Sequence, residues 1–304
     1  KIMIDFPAEL EEIRQALLVI FNKYVEELKK RRVLFEYPSK INLINLQKKI
    51  SATLARGNKN FNYLLGMSAC AQAIKIQHSL ELLETQTLQS FHTYLIGLLN
   101  QAAKKQSKGV VRLVNKPEFN YAYSQVNELL AKNIEHPKLG KLIEIIEIEK
   151  AKNPKTKIIV FTQFRETAAI ISKNLNKIKD TSAKVFIGQA KKQGVGLSQK
   201  EQKQIINEFS EGKINVLCAT CIAEEGLDIP EVNTVIFYEP IPSEIRKIQR
   251  AGRTARLIKG KLIMLITKKT RDEAYYYVSR SREKKMHKTI SEIQDDLATG
   301  KIDL

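Results

Sequence analysis

Cysteine is scarce in this sequence, with only Cys70, Cys218 and Cys221 among 304 residues. Three cysteines cannot build the dense disulfide framework that stabilises small secreted domains. Cys218 and Cys221 have the CxxC spacing of redox and zinc sites, but no second CxxC and no nearby histidine completes a ligand set. We therefore interpret both as structural residues at a strand end, and we expect no metal site.

Long apolar runs are also lacking. No segment approaches the roughly 20 consecutive apolar residues that a membrane-spanning helix needs, and the first residues do not form a signal peptide. These absences argue against a membrane partner and predict a cytoplasmic, intracellular location, associated with the nucleoid in an archaeal cell. The sequence begins at Lys1 rather than at a methionine, so we expect it to be part of a longer protein.

Acidic residues are outnumbered by basic ones, 33 against 51, which gives a net charge of +18. The excess is shared, since residues 1–150 carry 22 basic and 15 acidic residues and residues 151–304 carry 29 and 18. A basic surface on both parts favours a polyanionic partner, most commonly nucleic acid. A charge that only maintains solubility is the alternative interpretation.

The first half of the sequence has helical periodicity. After Pro7, apolar residues recur at the three- and four-residue spacing of an amphipathic helix. We predict an all-α domain over 1–150 that contains a projecting hairpin of two long helices. The predicted helices begin after Pro7 and continue over about 41–55, 61–105 with a turn at 82–87, 119–132 and 138–151, with a loop at 107–117.

The second half has a different sequence pattern, in which short β-branched runs alternate with amphipathic helices. This pattern predicts an α/β domain with a parallel sheet covered on both faces, whose ligands bind beyond the carboxyl ends of the strands. Ser198 and Glu201 predict a capping box at one helix start. The predicted strands are 157–162, 184–188, 214–220, 234–240 and 261–267, and the predicted helices include 164–178 and 198–209.

Polar segments follow these strands: "TQFRETA" after the first, "GQA" after the second and "ATCIAEEGLDIP" after the third. One helix later, "EIRKIQRAGRTAR" places four arginines at three-residue spacing, and their shared face requires an anion opposite. Each segment alone is compatible with a purely structural role. Their order, spacing and position after strands are together far more specific.

Taken together, these segments resemble the second RecA-like domain of superfamily 2 helicases. "IIVFTQFRETA" resembles motif IV, "CATCIAEEGLDIP" motif V and "QRAGRTAR" motif VI. With "GLSQKEQ" and "HPKL", the chain is similar to the archaeal Hef (FANCM-like) family over nearly its whole length, most strongly over 155–267. The resemblance implies a helical insertion domain over 1–150 and a second RecA-like domain with C-terminal helices over 151–304.

The resemblance also implies roles for individual residues. Arg253 and Arg256 match the arginine fingers that reach the γ-phosphate, and Gln249 matches a polar residue at the same catalytic interface. Gly226 and Asp228 match the cofactor-coupling part of motif V. The nucleic-acid-binding positions are Thr162, Gln163, Arg165, Gly188, Gln189 and Thr220. Two departures affect this assignment, because Ala255 stands where the family usually has glycine and Cys221 where serine is usual.

The cofactors implied are ATP and Mg²⁺. The sequence has no GxxxxGK[ST] loop and no DExH or DExD box, so both would be held mainly by a first RecA-like domain of the same protein, and this chain alone is expected to be inactive. The parent would be an ATP-dependent DNA helicase or translocase for forked or branched DNA, with a possible nuclease domain downstream. The alternatives are an RNA-directed relative of the RIG-I-like or Dicer type, and a non-catalytic module that binds branched DNA.

Overall fold

The computed structural model describes residues 1–57, 60–188, 196–220, 231–240 and 260–281. The chain divides into a helical unit, Phe6–His136, and a sheet unit formed by Lys1–Asp5 and Pro137–Leu304. The division therefore falls at 136/137 and not at 150, where we expected it. The reason is that the helix after Pro137 places Leu139, Leu142 and Ile146 in the apolar core of the sheet.

The helical unit follows its apolar periodicity. Helix α1 buries a continuous stripe from Leu10 to Leu28 and packs against α3 and α6, while α2 packs against α3. The elements are α1 (Ala8–Lys30), α2 (Lys40–Ala55), α3 (Phe61–Thr85), α4 (Leu88–Ala103), α5 (Lys108–Val114) and α6 (Pro117–Ala131).

The α3–α4 hairpin is present, but its turn does not project into solvent as we expected. Thr87 caps α4 by accepting a hydrogen bond from the Ser90 N–H at 3.1 Å, and all residues from 79 to 88 are buried. The carboxylate of Glu135 accepts hydrogen bonds from the N–H groups of Leu88 and Gln89. The first N–H groups of α4 have no acceptor within the helix, and Glu135 supplies one. The polar turn can therefore be buried without losing hydrogen bonds.

The expected loop at 107–117 is instead occupied by α5 and the start of α6. We predicted a loop from the segments "SKG" and "NKP", yet Gly109 is a packing residue. A Cβ at this position would lie 2.5 Å from Gln72 Nε2 and 2.9 Å from Ser68 Oγ. The missing side chain allows α5 to approach α3, and Val110 and Leu113 are then buried.

Among its described residues, the sheet unit contains six strands in the order β1-β6-β5-β2-β4-β3, and every neighbouring pair is parallel. Strand β1 was not predicted, because three residues are too few for a recognisable pattern. The elements are β1 (Ile2–Ile4), α7 (Pro137–Lys152), β2 (Ile158–Phe161), α8 (Arg165–Leu175), β3 (Ala183–Phe186), α9 (Gln199–Ser210), β4 (Val216–Ala219), β5 (Thr234–Phe237) and β6 (Lys261–Thr267), followed by helical residues 271–281, here α10.

Apolar cores lie on both faces of the sheet. We predicted this because the strands are continuously apolar and do not alternate apolar with polar residues. One core includes residues of α7 and α8, and the other includes Ile205 and Phe209 of α9. The predicted capping box of α9 is formed, since Ser198 and Glu201 exchange side-chain and backbone hydrogen bonds. The α/β fold class with a separate all-α region is therefore confirmed.

Candidate functional site

Three neighbouring strands end in one row. Phe161 of β2 and Phe186 of β3 both lie opposite Ala219 of β4. The interstrand hydrogen bonds continue for one residue beyond the strands. The Thr162 N–H donates to the Ala219 carbonyl at 2.9 Å, and the Thr220 N–H donates to the Phe186 carbonyl at 3.2 Å. The parallel sheet thereby brings the predicted residues Thr162 and Thr220 to the same edge, with Gly188 close behind β3.

Glu239, just after β5, organises this edge. Its Oε1 accepts a hydrogen bond from the Thr162 hydroxyl at 3.3 Å and another from the Gln163 N–H. The residue is 7% exposed. The Gln163 side chain is exposed. We did not predict Glu239, although the signal was present, because "FYEP" puts a polar residue directly after a strand, as at Thr162 and Thr220.

The loop after β3 is fixed by two side chains from other elements. The Gln202 amide of α9 donates to the Ile187 carbonyl at 2.8 Å. The Arg165 guanidinium, at the start of α8, lies 3.4 Å from the Gly188 carbonyl. That contact is long for a hydrogen bond, so it constrains the guanidinium only weakly. Arg165 and Gly188, two of the expected nucleic-acid-binding residues, thus lie close together.

The Thr220 hydroxyl lacks a hydrogen-bond partner among the described residues, although the residue is only 3% exposed. A buried hydroxyl without a partner costs free energy. A phosphate oxygen that accepted a hydrogen bond from this hydroxyl would remove that cost. Thr220 is therefore a group at this edge that a bound anion would satisfy.

A buried ion pair lies behind the edge. Lys138 of α7 pairs with Asp272 of α10, and both side chains are 0% exposed. The Lys138 ammonium also lies 5.2 Å from the centre of the Tyr238 ring, and the Asp272 carboxylate accepts the Thr267 N–H at 3.1 Å. Burial raises the pKa of Asp272, and the Lys138 charge opposes that rise. The pair joins α7 and α10 to the ends of β5 and β6, and nothing in the sequence pattern indicated it.

The other predicted site residues lie outside the described residues. They are Gln189, Gly226, Asp228, Gln249, Arg253 and Arg256, together with the departures at Cys221 and Ala255. Cys218, the described member of the CxxC pair, is buried, and burial raises its thiol pKa. Within the described ranges, His, Cys, Asp and Glu side chains do not gather in a group of three that could hold a metal ion.

Two family models match the chain, and their boundary at residues 136/137 coincides with the division between the two units. Residues 9–136 match a model described as the helical bundle of a putative ATP-dependent RNA helicase, and residues 137–258 match the helicase conserved C-terminal domain. No helix in the described part of the chain has the length and apolarity needed to cross a membrane.

Individual relatives agree with these models. A putative ATP-dependent RNA helicase of Methanocaldococcus jannaschii is 37% identical over 95% of this chain, which spans 36% of that relative. The ATP-dependent DNA helicase fml1 of Schizosaccharomyces pombe is 30% identical over 98% of this chain and 36% of its own length. The chain therefore spans about a third of these relatives.

A solved structure shares both units. The crystal structure of the Pyrococcus furiosus Hef helicase domain matches with a TM-score of 0.75 and 38% identity, over 91% of this chain and 57% of that chain. At this identity and coverage, the likeness extends to the family and not only to the fold. The chain belongs to the Hef- and FANCM-like helicases of superfamily 2, of which it carries the helical bundle and the C-terminal helicase domain.

Proposed function

We propose that this chain is part of an ATP-dependent DNA helicase or translocase that acts on forked or branched DNA. It supplies half of the nucleic-acid groove and the arginine fingers for ATP hydrolysis. The observation that carries the proposal is the row of strand ends at β2, β4 and β3, which brings Thr162, Thr220 and Gly188 to one edge of the sheet.

Within this row, we assign two kinds of role. Gln163 has an exposed side chain, Arg165 carries a guanidinium, and the Thr220 hydroxyl has no hydrogen-bond partner among the described residues. We therefore assign these three to contacts with backbone phosphates. Thr162 donates its hydroxyl to Glu239, so it acts by positioning the loop that carries Gln163. Gly188 and Gln189 would belong to a loop that contacts phosphate, in which Gly188 allows the nucleic-acid backbone to approach closely.

For ATP, the residues of this chain would meet the nucleotide from one side. Arg253 and Arg256, with Gln249, would stabilise the negative charge that spreads over the γ-phosphoryl oxygens during transfer. Gly226 and Asp228 would couple the nucleotide to the nucleic-acid groove. A first RecA-like domain would hold ATP and Mg²⁺, since this sequence has no P-loop.

Arginine substitutions in a protein that includes the first RecA-like domain test the catalytic part. Arg253→Ala and Arg256→Ala should each lower kcat by roughly 10³-fold or more, as removal of an arginine finger does, with little change in DNA affinity. A kcat that survives Arg256→Ala would mean that Ala255 displaces that side chain and would leave Arg253 as the finger. A kcat that survives both changes would refute this role.

Binding by the 304-residue chain tests the groove. Arg165→Ala should weaken binding to single-stranded and duplex DNA alike, and should lower the salt slope by about 0.7 on single strands or 0.9 on duplex. The matched control is Lys173→Ala, an exposed cation near the other end of α8. Equal effects of the two substitutions in fluorescence anisotropy would contradict a specific role for Arg165.

An RNA substrate is the second candidate, and the names of two matches favour it. Both the helical-bundle model and the Methanocaldococcus relative are described as putative ATP-dependent RNA helicases, whereas the Schizosaccharomyces relative is described as a DNA helicase. Competition between a labelled DNA fork and unlabelled DNA or RNA forks of the same sequence separates them. Stronger competition by RNA would overturn the DNA proposal. The assignment of the nucleic-acid-binding surface to the ends of β2, β4 and β3 would still hold.

A further inference from the structure

The connection between α1 and α2 presents two aromatic side chains to solvent. Phe35 is 84% exposed and Tyr37 81% exposed, while the preceding Val33 and Leu34 are buried at 9% and 5%. Residues 31–39 are called the aromatic loop below. Two large aromatic side chains this exposed, two residues apart on one connection of a folded unit, indicate a binding surface.

Hydrogen bonds hold the aromatic loop in place. The N–H groups of Val33 and Leu34 both donate to the Leu28 carbonyl, at 3.1 and 3.4 Å. The Tyr37 carbonyl accepts from the Ser39 N–H at 2.7 Å and from the Asn42 side-chain amide at 3.0 Å. Because the backbone is fixed at both ends, little conformational entropy is lost when a ligand contacts the two rings.

Positive charge is concentrated around this loop. Residues 29–49 contain seven basic residues and one acidic residue, whereas the other residues up to 150 contain fifteen and fourteen. Arg31 pairs with Glu27 and Lys40 with Glu81. The other five cations form no ion pair with any described residue, and all are exposed: Lys29, Lys30, Arg32, Lys48 and Lys49.

A cavity of about 140 Å³ lies between the aromatic loop and α2. Phe35 and Leu46 supply apolar walls, Asn45 supplies a side-chain amide, Lys49 an ammonium group and Glu36 a carboxylate. An apolar face beside an amide and a cation matches a nucleotide, which has a flat aromatic base, hydrogen-bonding groups along its edge and a phosphate.

We propose that the aromatic loop and α2 bind a single-stranded segment of nucleic acid, with Phe35 and Tyr37 stacked on unpaired bases and the surrounding cations on phosphates. This inference rests on the proposed nucleic-acid function and assigns it a second contact surface. A protein partner would need acidic groups for five cations and an apolar patch for two rings. A single strand offers phosphates to the cations and exposed base faces to the rings along its whole length, whereas a duplex hides the base faces.

The test measures affinity of the 304-residue chain by fluorescence anisotropy for a single strand and for a blunt duplex of equal length. The double variant Phe35→Ala/Tyr37→Ala should bind the single strand about ten-fold more weakly or worse, which is the expected loss from unstacking one to two bases. Binding to the duplex should change less than about two-fold, because paired bases cannot stack on these rings. Phe35→Trp/Tyr37→Trp should retain wild-type affinity.

Tyr121→Ala is the matched control, since Tyr121 is 41% exposed on the same unit but donates its hydroxyl to Glu12 at 3.1 Å. Unchanged single-strand binding by the double alanine variant, or equal losses on both substrates, would overturn the inference. If Arg165→Ala still weakened binding, the proposed function would stand without it. A chain that binds no nucleic acid at low salt would overturn both proposals.

Discussion

Glu239 connects two strand ends through a single carboxylate oxygen, which receives the Thr162 hydroxyl and the Gln163 N–H. The rule that polar residues after parallel strands meet at one edge groups Thr162, Thr220 and Glu239. The roles expected of Thr162 and Thr220 came from the resemblance to the family, which does not include Glu239. The buried Lys138–Asp272 pair could not be predicted in this way. Its members lie on helices far apart in the sequence, and lone charged residues on helices are normally solvated.

Replacing Glu239 with alanine should leave the Gln163 N–H and the buried Thr162 hydroxyl without this acceptor. We expect the free energy of unfolding to fall by about 1–3 kcal/mol, the usual cost of an unsatisfied buried donor. Urea unfolding followed by circular dichroism measures the change. Glu231→Ala is the control, because Glu231 is exposed on the segment before β5. Equal stability of the two variants would contradict the role given to Glu239.

At the scale of elements, helices with long apolar stripes and strands with apolar runs were predictable, whereas β1 and α5 were not. Helix α1 has seven buried residues on one face, which sets its extent without tertiary information. Helix α5 was missed because a glycine ordinarily disfavours a helix, whereas here the absence of a side chain allows close packing on α3. Only the neighbouring element distinguishes these two uses of glycine.

Gly109→Ala tests this explanation. The new methyl group would lie 2.5 Å from Nε2 of Gln72, which is 3% exposed, so the buried amide has to shift and we expect the free energy of unfolding to fall by about 1 kcal/mol from overpacking. Gly97→Ala is the matched control, because a Cβ there meets nothing within 4 Å in the middle of α4. In that control, the free energy of unfolding should rise by about 0.5–1 kcal/mol, because alanine stabilises a helix interior relative to glycine. A neutral Gly109→Ala in urea unfolding would show that α5 does not depend on this close approach.

Glu81 of α3 gives the helical unit a dependence on pH. Burial acts to raise its pKa, but the hydrogen bond to His78 at 3.1 Å and the charge of Lys40 outweigh burial, so the pKa is lowered. The associated stability is present above the ordinary glutamate pKa of about 4.3 and is lost as the pH falls through the lower folded value.

Glu81→Gln should therefore flatten the decline in unfolding free energy between about pH 5 and pH 3. Urea midpoints measured across this range provide the comparison. Glu26→Gln, at an exposed carboxyl on α1, should keep the slope of the unsubstituted protein. A slope unchanged by Glu81→Gln would mean that other carboxyls control the acid sensitivity.

At the scale of the molecule, the chain has the family's C-terminal helicase domain but no P-loop in its sequence. We expect the purified 304-residue chain to release no phosphate from ATP, with or without DNA, because no residue pattern here cradles the phosphates. A sensitive phosphate assay can be repeated with the Arg256→Ala variant, since contaminating activity would be the same in both preparations. Turnover that disappears in the variant would show that the chain is itself an ATPase.

The pairing of β1 with β6 has a consequence for synthesis of the protein. Ile2 lies opposite Leu265, so one edge strand leaves the ribosome more than 260 residues before its partner. At about 5–20 residues per second, it waits on the order of tens of seconds. The helical unit is contiguous and can fold meanwhile. The outermost strand pair is therefore expected to close last, with a large loop-closure entropy, and a nascent chain stalled before β6 would leave the hydrogen-bonding edge of β1 open to a chaperone.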